Sequence, residues 1–184
     1  EGLPTSGSKV IYEDVHQILE KDVNIKYYMA SGYLETLKRH KERQSKKGYG
    51  FGYCIVNKKD EEHPIANTIL ATGGSGKERN LVYQPKECVG GTMIPMKKTA
   101  LNDEGIRVMT PTEWGRLQGF IGYAFVKDGV ETFSFPEGTT DGQKYKQFGN
   151  SVTIPVIEEL AQFMLSCFEK MTNSRLTICH FLML

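Results

Sequence analysis

The feature that most restricts this chain is the apolar stripe near its end. From Pro155 onward, Val156, Ile157, Leu160, Ala161, Met164, Cys167 and Phe168 fall in helical register and mark one wide face. A face of that width must pack on something, and the segments upstream offer it little. Cys54-Ile-Val56, Thr68-Ile-Leu-Ala71 and Leu81-Val-Tyr83 read as short strands broken by glycines, which predicts a small twisted antiparallel sheet with long loops. With 19 glycines and 39% hydrophobic residues in 184, the chain is rich in turns and thinly supplied with core. The stripe is therefore expected to dock on a domain outside these residues.

Other helices are marked by their ends. Tyr12 to Leu19 places Val15, Ile18 and Leu19 on one helical face, with Asp14 near the start. A second helix is expected from Ser31 as N-cap, with Leu34 and Leu37 inward and Lys38 to Lys47 outward, ended by Gly48-Tyr-Gly-Phe-Gly-Tyr53. Thr110-Pro-Thr-Glu113 is a capping box: Thr110 caps, Pro111 takes the first helical position, and Glu113 lies three residues on. That helix is expected to end near Gly119. Within it, Glu113 and Arg116 have the spacing to pair with each other or with neighbouring loops. Gly149-Asn-Ser-Val152, just before the last helix, reads on physical grounds alone as a helix entrance. Glu1 to Lys9 reads as linker.

The net charge of +1 rules out a global field, so any nucleic-acid contact must come from local clusters. Lys38-Arg39-His40-Lys41, Arg43, Lys46-Lys47, Lys77, Arg79 and Lys97-Lys98 provide them, although solvated faces account for part of this charge. Cys54, Cys88, Cys167 and Cys179 lack ligand spacing, so neither a metal nor a disulfide framework is expected. Without a secretory signal pattern, the reducing cytoplasm is the expected compartment. No apolar run approaches the roughly 20 residues of a membrane span, and none is expected to meet a membrane. The apolar tail Leu176 to Leu184 is shorter still.

Two strings carry more than local chemistry. Gln147-Phe-Gly-Asn-Ser-Val152, followed by Pro155 and the last helix, resembles the final motif of cytosine-C5 DNA methyltransferases. Arg107, Thr110, Pro111, Glu113, Arg116, Leu117, Gln118, Gly119 and Phe120 match the family motif that precedes it. The resemblance implies that Asn150, Ser151 and Val152 face bound S-adenosylmethionine. It further implies that Arg107, Thr110, Glu113, Arg116, Gln118 and Gly119 organise the recognition domain without doing chemistry.

Between these and the amino end, Thr68-Ile-Leu-Ala-Thr-Gly-Gly-Ser-Gly-Lys-Glu-Arg79 is similar to the Thr-x-Leu and glycine-loop core of a target recognition domain. Thr68, Leu70, Gly73, Gly74, Ser75, Lys77 and Arg79 become the candidate contacts to double-stranded DNA. Glycines bring backbone close to groove edges, lysine and arginine serve phosphates, and arginine also reads guanine. The string lacks the spacing of a phosphate-binding Walker loop. Tyr12-Glu-Asp-Val-His-Gln-Ile-Leu19, Tyr27-Tyr28 and Gly50-Phe-Gly-Tyr53 resemble the joining segment of one family branch.

The implied fold is α+β, a small irregular antiparallel-sheet recognition domain whose C-terminal helix completes a Rossmann-like cofactor domain. Residues 1–47 would join the two parts, 48–144 recognise the target, 145–171 return to the catalytic domain, and 172–184 form a tail. A restriction–modification setting is a further implication.

The family's chemical machinery has no match here. No cysteine follows a proline, and neither Glu-Asn-Val nor the Gln-x-Arg-x-Arg motif occurs. Lacking a nucleophile, the chain is expected to contain no catalytic residue and to be inactive alone. It reads as a fragment, or as the specificity subunit of a split enzyme with a separate catalytic partner. Two other readings stay open: a stand-alone DNA-binding module, and an interaction protein whose last helix docks on a partner.

Overall fold

The computed structural model describes residues 10–49, 52–58, 61–71 and 76–181, with side chains to residue 172. Asp14 starts the first element by accepting the His16 N–H at 2.7 Å. The element is a single 3-10 turn, Val15–Ile18, and not a helix over Tyr12 to Leu19. Its Val15 and Ile18 are buried while Glu13, His16 and Gln17 stay outside, so one turn already satisfies the apolar face. Helix α1 (Ser31–Ser45) follows, with Ala30 and not Ser31 in the cap position. A distant residue serves instead, because Thr99 Oγ1 accepts the Gly32 N–H at 2.9 Å. Leu34 is buried and the basic side of α1 lies in solvent.

Strand β1 (Leu81–Tyr83) pairs antiparallel with β2 (Ile106–Val108), Leu81 opposite Val108 and Tyr83 opposite Ile106. The strands expected at 54–56 and 68–71 do not form. Only Ile55 bridges Leu81, and in parallel sense. Asparagine side chains replace the missing ladder. Asn57 accepts from Tyr83 N at 2.7 Å and donates to Tyr83 O at 2.9 Å. Asn80 likewise holds both Asn67 N and Asn67 O, at 2.7 and 3.0 Å. Satisfied in this way, the backbone has no need of a longer strand.

Helix α2 (Pro111–Leu117) begins with the reciprocal capping box of Thr110 and Glu113. A small hairpin, β3 (Val126–Lys127) with β4 (Val130–Glu131), leads to α3 (Asp141–Asn150), a helix the sequence reading left out. A second capping box, Thr140 with Gln143, opens α3. Gly149 and Asn150 thus end one helix before α4 (Ile154–Phe181) begins. Val15, Ile18, Val82, Met109, Trp114, Tyr145 and Phe148 form the main core. Trp114 meets Tyr145 edge to face at 4.8 Å between centroids, an arrangement that favours ring quadrupoles beyond the area buried.

The stripe on α4 is uncovered: Val156, Ile157, Met164 and Phe168 are all exposed. The run 141–172 also reaches a mean hydropathy of 1.2 over 18 residues, enough by length and composition to cross a membrane. This corrects the expectation that nothing approaches such a span. The run is nevertheless broken at Ser151–Thr153 and carries Glu158 and Glu159 midway, as an amphipathic docking helix does.

Candidate functional site

Arg107 and Glu113 are six residues apart, one on β2 and one on α2, and both side chains are completely buried. The guanidinium forks onto the carboxylate, Nη1 to Oε2 at 2.8 Å and Nη2 to Oε1 at 2.7 Å. Arg107 Nε donates to Gln84 Oε1 at 2.6 Å, and Gln84 Nε2 in turn donates to Glu20 O at 2.9 Å. Glu113 also accepts the Glu20 N–H and the Thr110 N–H, each at 2.8 Å. Thr110 Oγ1 donates to the Glu20 carboxylate. One ion pair therefore ties together the joining segment, the β1 end, β2 and α2. Glu113 does not pair with Arg116, because the capping geometry turns it inward, and Arg116 Nη1 instead donates to Ile18 O at 2.7 Å.

From the far end of α2, Gln118 reaches the junction of α3 and α4. Its Nε2 donates to Phe148 O at 3.0 Å, its Oε1 accepts Thr153 Oγ1 at 2.6 Å, and its backbone carbonyl accepts Ile154 N at 3.0 Å. Gly119, at φ +78°, lies so close to Pro155 that a Cβ there would stand 2.7 Å from its ring. These contacts fix the shape of the break on which Asn150, Ser151 and Val152 sit. Ser151 Oγ donates to Phe148 O at 2.6 Å and caps α3. Asn150 and Val152 are exposed. The structure thus joins the 107–120 and 147–152 motifs into one unit.

The recognition segment meets this unit from its other side. A Cβ on Gly149 would stand 2.3 Å from Leu70 O, so the missing side chain lets backbone lie on backbone there. Thr68 and Leu70 belong to no helix or strand, while Gly73, Gly74 and Ser75, with Thr72, lie outside the described residues. Lys77 and Arg79 fall on a 3-10 turn, Lys77–Asn80. Lys77 is partly buried. Its Nζ sits 4.4 Å over the buried Tyr145 ring, and burial lowers its affinity for a proton. The carbonyl of Arg79 accepts Asn67 Nδ2 at 2.8 Å.

Sequence reading missed a further cluster at the start of α3. Lys26 Nζ lies 2.7 Å from Asp141 Oδ2, which also accepts the Tyr27 hydroxyl at 2.9 Å. Burial, then the bond to Asp141, pushes Tyr27 up to about 12. The Asp141 carboxyl is raised by burial but lowered more by Lys26 and Tyr27, and ends below its ordinary value. Only the Thr140 capping pattern signalled this helix start. Among the described residues no group of acidic, histidine or cysteine side chains is placed to hold a metal.

Comparison with known proteins gives a consistent result. Residues 4–166 match the family described as C-5 cytosine-specific DNA methylase. The Type II methyltransferase M.HpaII of Haemophilus parainfluenzae is 41% identical over 164 residues, which cover 89% of this chain and 40% of that protein. The Type II methyltransferase M1.ScrFI of Lactococcus lactis is 32% identical over 156 residues, 85% of this chain and 32% of the relative. The solved Entamoeba histolytica methyltransferase EhMeth superposes with a TM-score of 0.54 at 21% identity, covering 91% of this chain and 44% of that one, a likeness of fold. The chain spans less than half the length of each of these proteins.

Proposed function

This chain belongs to the C-5 cytosine-specific DNA methylase family, and from that premise we propose that it is the DNA-recognition and closing portion of a DNA (cytosine-5)-methyltransferase. The whole enzyme would transfer a methyl group from S-adenosylmethionine to C5 of cytosine in a specific duplex sequence. Residues 48–144 would read the target, and 145–171 would return to the catalytic domain. One observation carries this reading: Gln118 bonds the 107–120 motif to the break that bears Asn150 and Ser151, and Gly149 lets the backbone at Leu70 lie against the same break.

That edge suits one wall of a cofactor site. Asn150 presents an exposed amide, which makes no hydrogen bond to another described residue, and Val152 is an exposed apolar neighbour that is 62% accessible. An amide beside an apolar surface matches a ligand that is part amino acid and part nucleoside. S-adenosylmethionine would supply the methyl group, and the chain's own part would be to position it.

None of the four cysteines follows a proline, so methyl transfer would need a nucleophile from a separate catalytic domain or subunit. The uncovered face of α4 favours such a partner over a stand-alone DNA-binding module, since a module has no use for an exposed Val156, Met164 and Phe168.

Retention of the chain on a pool of duplex DNA, with salt and nonspecific competitor, tests the proposal. Selective enrichment of one sequence supports it. A folded chain that retains no duplex overturns it.

A further inference from the structure

Beside the recognition segment runs a groove of about 630 Å3, between the start of α1, the 3-10 turn at Lys77 and the loop Met96–Thr99. Lys26, Lys77, Lys97 and Lys98 line it, and Tyr27 and Tyr33 form apolar walls. Two of these ammonium groups are in an unusual position. Lys77 and Lys97 are half-buried, and burial lowers the proton affinity of each. Among the described residues neither has a carboxylate within salt-bridge distance. Lys97 is held in place by the carbonyls of Lys26 and Tyr28, which orient it without neutralising it.

Among the described residues the wall also carries one carboxylate, Glu78, which Lys77, Lys97 and Lys98 outnumber. Glu78 accepts the Tyr33 hydroxyl at 2.8 Å and the Gly76 N–H at 3.0 Å. The first turn of α1 adds its positive end, and its Gly32 N–H faces Thr99. A half-buried ammonium held only by carbonyls or a ring keeps its charge unneutralised, so two of them lining one cleft favour an anion there.

We propose that this groove holds a sugar–phosphate unit of the bound DNA backbone, with Lys77, Lys97 and Lys98 on the phosphate and Tyr27 and Tyr33 against the deoxyribose. The inference rests on the DNA-recognition reading above and gives the phosphate role of Lys77 a defined site within it. Lys77 is a phosphate-side residue anchored over Tyr145, outside the set that reads bases. A groove of this size accepts a nucleotide unit where a lone ion would leave it mostly empty.

The test measures the affinity of the full chain for its selected duplex against salt, for the unaltered protein and for Lys77→Gln, Lys98→Gln and Lys127→Gln. Each lost phosphate contact lowers the slope of log K against log salt by about 0.9. Lys98 is exposed, so its variant leaves the fold intact, and Lys127, an exposed residue that does not line the groove, controls for net charge alone. The expected result is a shallower slope for Lys77→Gln and Lys98→Gln, undiminished sequence preference, and no change for Lys127→Gln. Equal slopes in all four proteins overturn the groove and leave recognition standing, whereas an unaltered chain that binds no duplex overturns both. Lysine NMR with inorganic phosphate separates the ligand sources. Shifts of Lys77, Lys97 and Lys98 with phosphate but not with duplex make the groove a free-anion site and refute the backbone assignment.

Discussion

Glu113→Gln keeps the size and shape of the side chain and removes one charge, which makes it a clean probe of the buried pair. Each carboxylate oxygen accepts two donors: Oε1 takes Arg107 Nη2 and Glu20 N, and Oε2 takes Arg107 Nη1 and Thr110 N. Whichever way the amide turns, its NH2 faces one guanidinium N–H and one backbone N–H. Two buried donors are then left unsatisfied, at about 1–3 kcal/mol each. Breaking one partner out of a buried ion pair gives a similar figure, roughly 3–5 kcal/mol. Against a total stability of about 5–15 kcal/mol for an ordinary domain, this is a large fraction.

The assay is urea denaturation followed by the single tryptophan, Trp114, which lies in the core one residue beyond Glu113. Far-ultraviolet circular dichroism serves as an independent probe of the helices. With a urea slope of about 2 kcal/mol per molar, the midpoint falls by on the order of 2 M. A fall of less than about 0.5 M at unchanged slope would refute the argument, because it would mean that the carboxylate's charge and acceptor capacity are dispensable.

Other substitutions separate effects that the fold combines. Gly149→Ala gains about 1 kcal/mol of helix propensity but drives a Cβ to 2.3 Å from Leu70 O, and overpacking of about 1–3 kcal/mol wins; thermal melting should show a net loss, together with weaker sequence selectivity. Gln118→Leu removes one donor from the Phe148 carbonyl, which Ser151 still serves, and takes away the acceptor of the Thr153 hydroxyl; it costs about 0.5–1.5 kcal/mol by denaturation and weakens S-adenosylmethionine binding to the completed enzyme in calorimetry. For the Lys26–Asp141 pair, the lowered Asp141 adds stability above its ordinary 3.8 that is lost as acid passes through its folded value, and the raised Lys26 adds stability below 10.5 that is lost as alkali passes through its own. Both side chains are partly exposed, so Asp141→Asn should cost only about 0.5 kcal/mol, a difference that melting curves across pH should find between those limits and not in strong acid.

The parts of this fold that were legible in the sequence are those whose cause is local. Thr110, Pro111 and Glu113 mark a helix start within four residues, and the α4 stripe repeats often enough to be read from periodicity. Helix α3 was missed although Thr140 and Gln143 carry the same capping pattern, because only Tyr145 and Phe148 supply its apolar face and glycines interrupt it. Strands at 54–56 and 68–71 were expected from composition. Asn57 and Asn80 instead supply across space the bonds that a ladder would have made. The Arg107–Glu113 fork was hidden for a related reason. Helical spacing makes Arg116 the nearer partner of Glu113, and only the tertiary approach of β2 puts Arg107 within reach.

The contact between Gly149 and the Leu70 carbonyl also limits how recognition specificity could be transplanted. Exchanging the proposed target-reading segment between relatives is safe only where the graft leaves the backbone at Leu70 and Ala71 on its present course. A donor segment entering a few tenths of an ångström closer would lift α3 and displace the Asn150-Ser151 edge along with it. A chimera with its first junction after Ala71 and its second before the strand at Leu81 would therefore keep that contact and test whether the intervening loop alone carries specificity.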